Sequence, residues 1–117
     1  MTDETVAART SALQALVECR LPLGAAIARV RSFGWDSDED LVTLRASHVM
    51  AVLRRFLAGE LSADHVEVWA DGLEVREDIG FAGDTLDLIF RLANPDMNGA
   101  ITPSVAEALI AKYDRGV

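Results

Sequence analysis

The chain has 117 residues, of which 50% are hydrophobic and 26% charged, and its formal net charge is −8. This length is typical of one domain with its own core, so we expect a single helical domain over residues 1–117. The acidic balance argues against nucleic acid as a direct ligand, because contacts to phosphates require Lys and Arg.

Hydrophobic spacing and capping residues predict about six helices. The first begins at a cap on Thr2 or Asp3 and ends at about Glu18. The second covers roughly 22–32, and Pro22 suits its first turn because the N–H that proline lacks would be unpaired there anyway.

The third predicted helix is the longest, and we expect it to be the most buried. Ser37 and Asp40 resemble a capping box at its start, and Gly59 is placed to end it after Ala58. Apolar residues and one histidine recur along one face of this helix. They are Leu41, Leu44, His48, Val52 and Phe56.

Three further helices complete the predicted fold. Ser62 caps the fourth, which covers about 63–76, and the fifth covers about 84–93. The last begins with Thr102 as its cap and Pro103 as its first residue. No alternating run of Val, Ile and Thr predicts a strand. We therefore expect an all-α, compact bundle of about six helices with short connections.

The net charge is concentrated in residues 60–87. This segment holds nine acidic residues and one basic residue, Arg76, while the residues on either side of it are neutral in sum. Charge patterning of this kind informs about partners rather than about fold.

The predicted fourth helix has two opposed faces. Val66, Trp69, Ala70 and Leu73 form an apolar stripe of about 100° that faces the core. On the other side, carboxylates recur at a spacing of three and four residues, and we call them the acidic column. The acidic column comprises Asp64, Glu67, Asp71, Glu74 and Asp78.

Stability alone does not favour the acidic column, because like charges at i,i+4 destabilise a helix by about 0.2–0.5 kcal/mol per pair. The column is either a solvated face, a set of carboxylates paired with Arg54, Arg55 or Arg91, or a surface for a positively charged partner. The third interpretation predicts partner-binding residues at the acidic column and at the adjacent Glu77.

The segments FLAGELSADHVEVWADGLEVREDIGF (56–81) and IFRLANPDMNG (89–99) resemble small, acidic, all-helical bacterial proteins, in particular self-protective immunity proteins of the colicin D type. The resemblance covers the C-terminal half of the chain. It implies a helical bundle whose acidic surface covers the basic active site of a toxic ribonuclease.

A calcium loop is an alternative for Asn94–Val105. Oxygen-bearing side chains at positions 1, 3 and 5 and glycine at position 6 follow the EF-hand pattern. Position 12 is Val105, however, where a bidentate glutamate is required, and Pro103 begins a helix. An interhelical turn with Gly99 at positive φ is the simpler interpretation.

Other reactive side chains do not form a recognisable catalytic or cofactor motif. His48 is expected to be a hydrogen-bonded core residue, His65 lies beside the acidic column, and Cys19 is expected to be a small core side chain. The chain lacks nucleophile-elbow, phosphate-loop and zinc motifs. We therefore expect neither an enzyme nor a bound cofactor or metal.

Two features predict a cytoplasmic protein that does not bind membranes. The N-terminal residues lack the positive flank and apolar stretch of a secretion signal. Apolar runs stay short of the ~18 residues of a membrane span. A single cysteine also suits a reducing compartment.

These features together predict a protein that binds and masks a basic partner protein, in particular an immunity or antitoxin protein that neutralises a toxic nuclease. Trp35, before the third helix, is a candidate apolar anchor for such a partner. The alternatives are an acidic adaptor or regulatory module and a degenerate EF-hand-like calcium-binding helix pair.

Overall fold

A computed structural model describes residues 3–114 of the protein, and the predicted cap at Thr2 lies outside them. Seven helices and two short strands are present in this range, which confirms the predominantly all-α fold. In chain order they are α1 (Asp3–Val17), α2 (Leu23–Arg31), β1 (Val42–Leu44), α3 (Ala46–Leu57), α4 (Ala63–Glu74), β2 (Ile79–Phe81), α5 (Thr85–Ala93), α6 (Pro95–Asn98) and α7 (Pro103–Tyr113).

Two predicted helix starts are confirmed by their hydrogen bonds. The Ser62 hydroxyl accepts the backbone N–H of His65 at 3.1 Å, and the His65 ring nitrogen Nδ1 accepts the backbone N–H of Ser62 at 3.0 Å. At α7, the Thr102 hydroxyl accepts the N–H of Val105 at 3.2 Å. Both caps satisfy N–H groups that have no partner within the helix.

The predicted third helix is too long, and the expectation of no strand is wrong. Residues 42–44 form β1, which pairs in parallel with β2 so that Val42 lies opposite Ile79 and Leu44 opposite Phe81. The helix begins only at Ala46, and the Ser37 hydroxyl contacts the backbone of Glu39 instead of capping a helix. Val42 and Leu44 are buried with Thr43 between them, which is the two-residue period of a strand.

The core lies between the helices and is apolar, with Leu13, Leu16, Leu53, Trp69 and Ile89 fully buried. The indole N–H of Trp69 donates to the carbonyl of Leu16 at 2.7 Å, which ties α4 to the end of α1. This bond gives the buried indole nitrogen the partner that it requires.

Two predicted core side chains differ in their surroundings. Cys19 is buried, as expected. His48 is hydrogen-bonded but only half-buried, because it lies in the first turn of α3, where its Nδ1 accepts the N–H of Arg45 at 2.9 Å.

Within the described range, no helix combines the length and the apolar character needed to span a membrane.

Candidate protein-binding surface

Four of the five residues of the predicted acidic column lie on α4 with exposed or half-buried side chains, and the fifth, Asp78, does not. Asp64 and Asp71 are exposed on α4, and Glu67 and Glu74 are half-buried at its flank. Glu77 follows the end of α4 and is also exposed. The structure therefore leaves four carboxylates on the helix, and we call these four, Asp64, Glu67, Asp71 and Glu74, the acidic face.

The arginines proposed to neutralise the column do not pair with it. Arg54 pairs with Asp114, and Arg55 pairs with Glu60. Between residues 3 and 114, no cationic side chain lies within ion-pair distance of the acidic face. One member has a neutral partner, because Glu74 accepts the side-chain N–H of Asn94 at 3.2 Å.

The expected position of Asp78 at the surface is wrong. Its side chain is fully buried, because α4 ends at Glu74 and the chain then turns inward toward β2. Asp78 accepts hydrogen bonds from Arg9 Nε at 2.8 Å and from Arg76 Nε and Nη2 at 2.9 and 2.7 Å. Asp78 is therefore the centre of a buried ionic cluster, which comprises Arg9, Arg76 and Asp78.

The two arginines determine the charge state of Asp78. Burial raises the pKa of its carboxyl, but the hydrogen bonds and positive charges of Arg76 and Arg9 together outweigh burial and hold the pKa below its ordinary value. The carboxylate is thus ionised in the folded protein at neutral pH. Two arginines around one carboxylate leave an excess positive charge, which must be met by other acceptors.

Those acceptors are backbone carbonyls in the loop that carries Trp35. Arg76 Nη2 donates to the carbonyl of Gly34 at 2.5 Å, and Arg9 Nη2 donates to the carbonyl of Asp36 at 2.8 Å. The backbone N–H of Glu77 donates to the carbonyl between them, that of Trp35, at 2.9 Å. The three consecutive carbonyls of residues 34–36 are therefore each held by a hydrogen bond, and we call this set of bonds the loop clamp.

Trp35, whose backbone is held by the loop clamp, is 58% exposed, and this exposed fraction is unusually high for a tryptophan. It borders a hollow of about 240 Å³ between α2 and α4, which we call the Trp35 hollow. Ile27, Val30, Gly72 and Val75 supply its apolar lining, and three charged residues, Arg31, Asp71 and Arg76, also line it. The predicted anchor and the acidic face thus meet at Asp71.

A second hollow lies along the same two helices, toward the start of α4. It measures about 680 Å³, is more open, and is lined by Leu21, Gly24 and Val68 together with Asp64 and His65. We call it the Leu21 hollow. Leu21 and Val68 are 46% and 48% exposed, so apolar surface accompanies the carboxylates here as well.

Sequence-based prediction did not identify Arg9 and Arg76 as part of the site. A signal for Arg9 was present, because Arg9 precedes Ala12, Leu13 and Leu16 at helical spacing and so continues their buried stripe. A charge on such a stripe requires a buried partner of opposite sign. The identity of that partner depends on a contact between residues 69 positions apart.

The calcium alternative finds no geometric support in the described residues. Residues 95–98 form the short helix α6 rather than an open loop, and Gly99 ends it at a φ of +98°. The Asn94 amide donates to Glu74 and to the carbonyl of Phe90. Across residues 3–114, no group of three or more His, Cys, Asp or Glu side chains is arranged to hold a metal ion.

Comparisons of the chain with protein-family models, curated proteins and solved structures find no match. The similarity to colicin D-type immunity proteins stays a prediction from the residues that suggested it.

Proposed function

We propose that this protein binds a basic partner protein through the acidic face and the adjacent Trp35 hollow. The observation that carries the proposal is the placement of an exposed, backbone-clamped tryptophan next to Asp71, a carboxylate that forms no ion pair with any side chain of residues 3–114. Tryptophan is enriched among the residues that dominate binding energy, and a loop backbone that is already held in place loses little entropy on binding.

The two parts of the surface have different roles in the proposed mechanism. Carboxylates that form no ion pair among residues 3–114 attract a positive surface from a distance and raise the rate of association. The indole and the apolar lining of the Trp35 hollow exclude water from the contact and slow dissociation. Charge thus governs the approach of the partner, and the apolar anchor governs its residence time.

Toxin neutralisation is the specific form of this function that we favour. A nuclease active site is basic because it binds phosphates, and an acidic surface that covers it blocks access of the nucleic acid. An acidic adaptor with a non-toxic basic partner uses the same surface and is the alternative.

A neutralised variant tests the proposal. Glu67→Gln combined with Asp71→Asn removes two charges from the acidic face without removing volume. The matched control is Asp96→Asn with Glu107→Gln, which neutralises two exposed carboxylates elsewhere. We expect the first pair to slow association with the partner, and to flatten the salt dependence of the association rate, while the control pair does neither.

The partner for this experiment is sought first among the products of neighbouring reading frames. Growth rescue by co-expression with a basic, toxic neighbour, lost in Trp35→Ser, supports the immunity function. A basic but non-toxic partner with the same dependence supports the adaptor. Equal association rates for the two neutralised variants at low salt would contradict the proposed surface.

A further inference from the structure

The exposed side of α4 carries a regular alternation of acidic and apolar residues. Asp64, Val68, Asp71 and Val75 are all exposed, and at 100° per residue they fall within an arc of about 60°. Val68 is 48% exposed, and Val75, which directly follows the last residue of α4, is 67% exposed. Carboxylates and β-branched apolar side chains are therefore both exposed to solvent along this line.

Helix α2 lies beside this line, and we call the two hollows between α2 and α4 together the groove. The Leu21 hollow and the Trp35 hollow are both lined by residues of α4 and of α2 or the segments that adjoin it. At the Leu21 hollow α2 presents a small residue, because Gly24 is exposed and a Cβ at Gly24 would meet no atom within 4 Å. The groove from Asp64 to Val75 extends over about 16 Å.

We infer that the occupant of this groove is a basic amphipathic α-helix of the partner. The inference rests on the proposed function and deepens it by specifying the form of the partner's binding segment. Asp64 and Asp71 are seven residues apart, about 10.5 Å along the helix axis, which matches Lys or Arg side chains at i and i+7 on a facing helix. Apolar side chains of that helix, at positions between its basic residues, enter the two hollows.

The walls of the groove favour a helix over an extended peptide. Helices α2 and α4 satisfy their own backbone hydrogen bonds, so the groove offers an extended segment no strand edge with which to pair. A helix satisfies its own backbone and buries only side chains, as in other complexes in which an amphipathic helix lies in an apolar groove.

A peptide library tests this inference directly. One half displays peptides of about 18 residues in which Lys, Arg, Leu and Phe follow an amphipathic helical pattern, and the other half displays the same compositions in permuted order. We expect the patterned half to be enriched on the wild-type protein by about tenfold or more. That enrichment should disappear on the double variant Val68→Asn, Val75→Asn, because the apolar contacts along α4 are lost.

The matched control is Leu86→Asn with Phe90→Asn, which changes two exposed apolar residues of α5 that line neither hollow. Loss of enrichment on this control as well would overturn the inference. Equal enrichment of patterned and permuted peptides, with binding that still requires Glu67 and Asp71, would overturn the inferred helical form of the partner segment. It would leave the proposed function standing. Binding that depends on neither the acidic face nor Val68 and Val75 would overturn both.

Discussion

The backbone N–H of Glu77 donates to the carbonyl of Trp35 at 2.9 Å and joins the segment after α4 to the loop after α2. Arg76 and Arg9 hold the carbonyls on either side of this bond, and both arginines are in turn held by Asp78. The buried carboxylate thus acts through the two arginines on the backbone that carries an exposed indole.

Replacing Asp78 by Asn is expected to destabilise the fold by about 3–5 kcal/mol, because two buried guanidinium groups lose their counter-charge. Urea denaturation at pH 7 measures the loss. The matched control is Asp96→Asn, an exposed aspartate that should change stability by less than about 0.5 kcal/mol. A similar loss in both variants would contradict the role of the buried ionic cluster.

The contribution of Asp78 also depends on pH in a defined direction. Its folded-state pKa is lowered, so the unfolded chain, with an Asp pKa of about 3.9, takes up the proton more readily. The stabilisation is therefore complete above about pH 4 and is lost as the pH falls through the lower folded-state pKa. We expect the stability difference between wild type and Asp78→Asn to be constant from pH 7 to pH 5 and to narrow below pH 4.

Replacing Arg9 by Met removes one donor of the loop clamp but keeps the ion pair between Arg76 and Asp78. Asp78 keeps its two bonds to Arg76, but the carbonyl of Asp36 loses its donor. We expect a smaller loss of stability than in Asp78→Asn and faster hydrogen exchange of the Glu77 amide, measured by NMR. An unchanged exchange rate would show that Arg76 alone is sufficient to hold the loop.

Gly72→Ala is expected to stabilise the protein by about 0.5–1 kcal/mol, because alanine favours the helix and loses less entropy on folding. The added Cβ would lie 3.5 Å from Ile27 Cγ1, which is ordinary contact, and it would narrow the Trp35 hollow. Thermal unfolding measures the gain, and partner affinity should fall at the same time. A destabilising Gly72→Ala would contradict the expectation.

The two tryptophans are expected to respond differently to replacement by phenylalanine. Trp35→Phe should change stability by less than about 0.5 kcal/mol, because the indole is exposed. Trp69→Phe removes a buried hydrogen bond to the Leu16 carbonyl and leaves space, so it should destabilise by about 1–3 kcal/mol. Iodide should quench the fluorescence of Trp35 and spare Trp69, and equal quenching of both would contradict the assignment.

Cys19 is expected to be unreactive toward a disulfide reagent at neutral pH in the folded protein. Burial raises the pKa of its thiol more than the nearby Arg55 lowers it, and the side chain has no exposed surface. The reaction should be rapid in urea and slow in buffer. Rapid modification of the folded protein would reveal local opening at the end of α1.

The helices that local patterns predict well are those whose ends carry their own capping groups. Ser62 and Thr102 begin α4 and α7 through hydrogen bonds to residues three positions later, so the information lies within one turn. The fifth helix, predicted to start at Asp84, begins one residue later at Thr85, and the Asp84 side chain makes no cap hydrogen bond. Trp35 was predicted as a candidate exposed anchor because it lies in a break between apolar stripes.

The strands and the buried ionic cluster could not be predicted in the same way. Strands β1 and β2 have three residues each, and they are stable only because they pair with each other across the intervening α3 and α4. The helical spacing of carboxylates continues through Asp78 in the sequence, although the helix ends at Glu74. Periodicity alone does not reveal where the chain turns inward.

The sequence by itself determined the helical fold, the caps of α4 and α7 and the concentration of negative charge, because periodicity, capping and composition act within a few residues. Only the tertiary structure decided which carboxylates reach the surface. Arg9, 69 positions before Asp78, becomes its partner when α1 packs against the β1–β2 side of the fold. A buried charge is stable only with a counter-charge in contact, and that contact exists only once distant segments have come together.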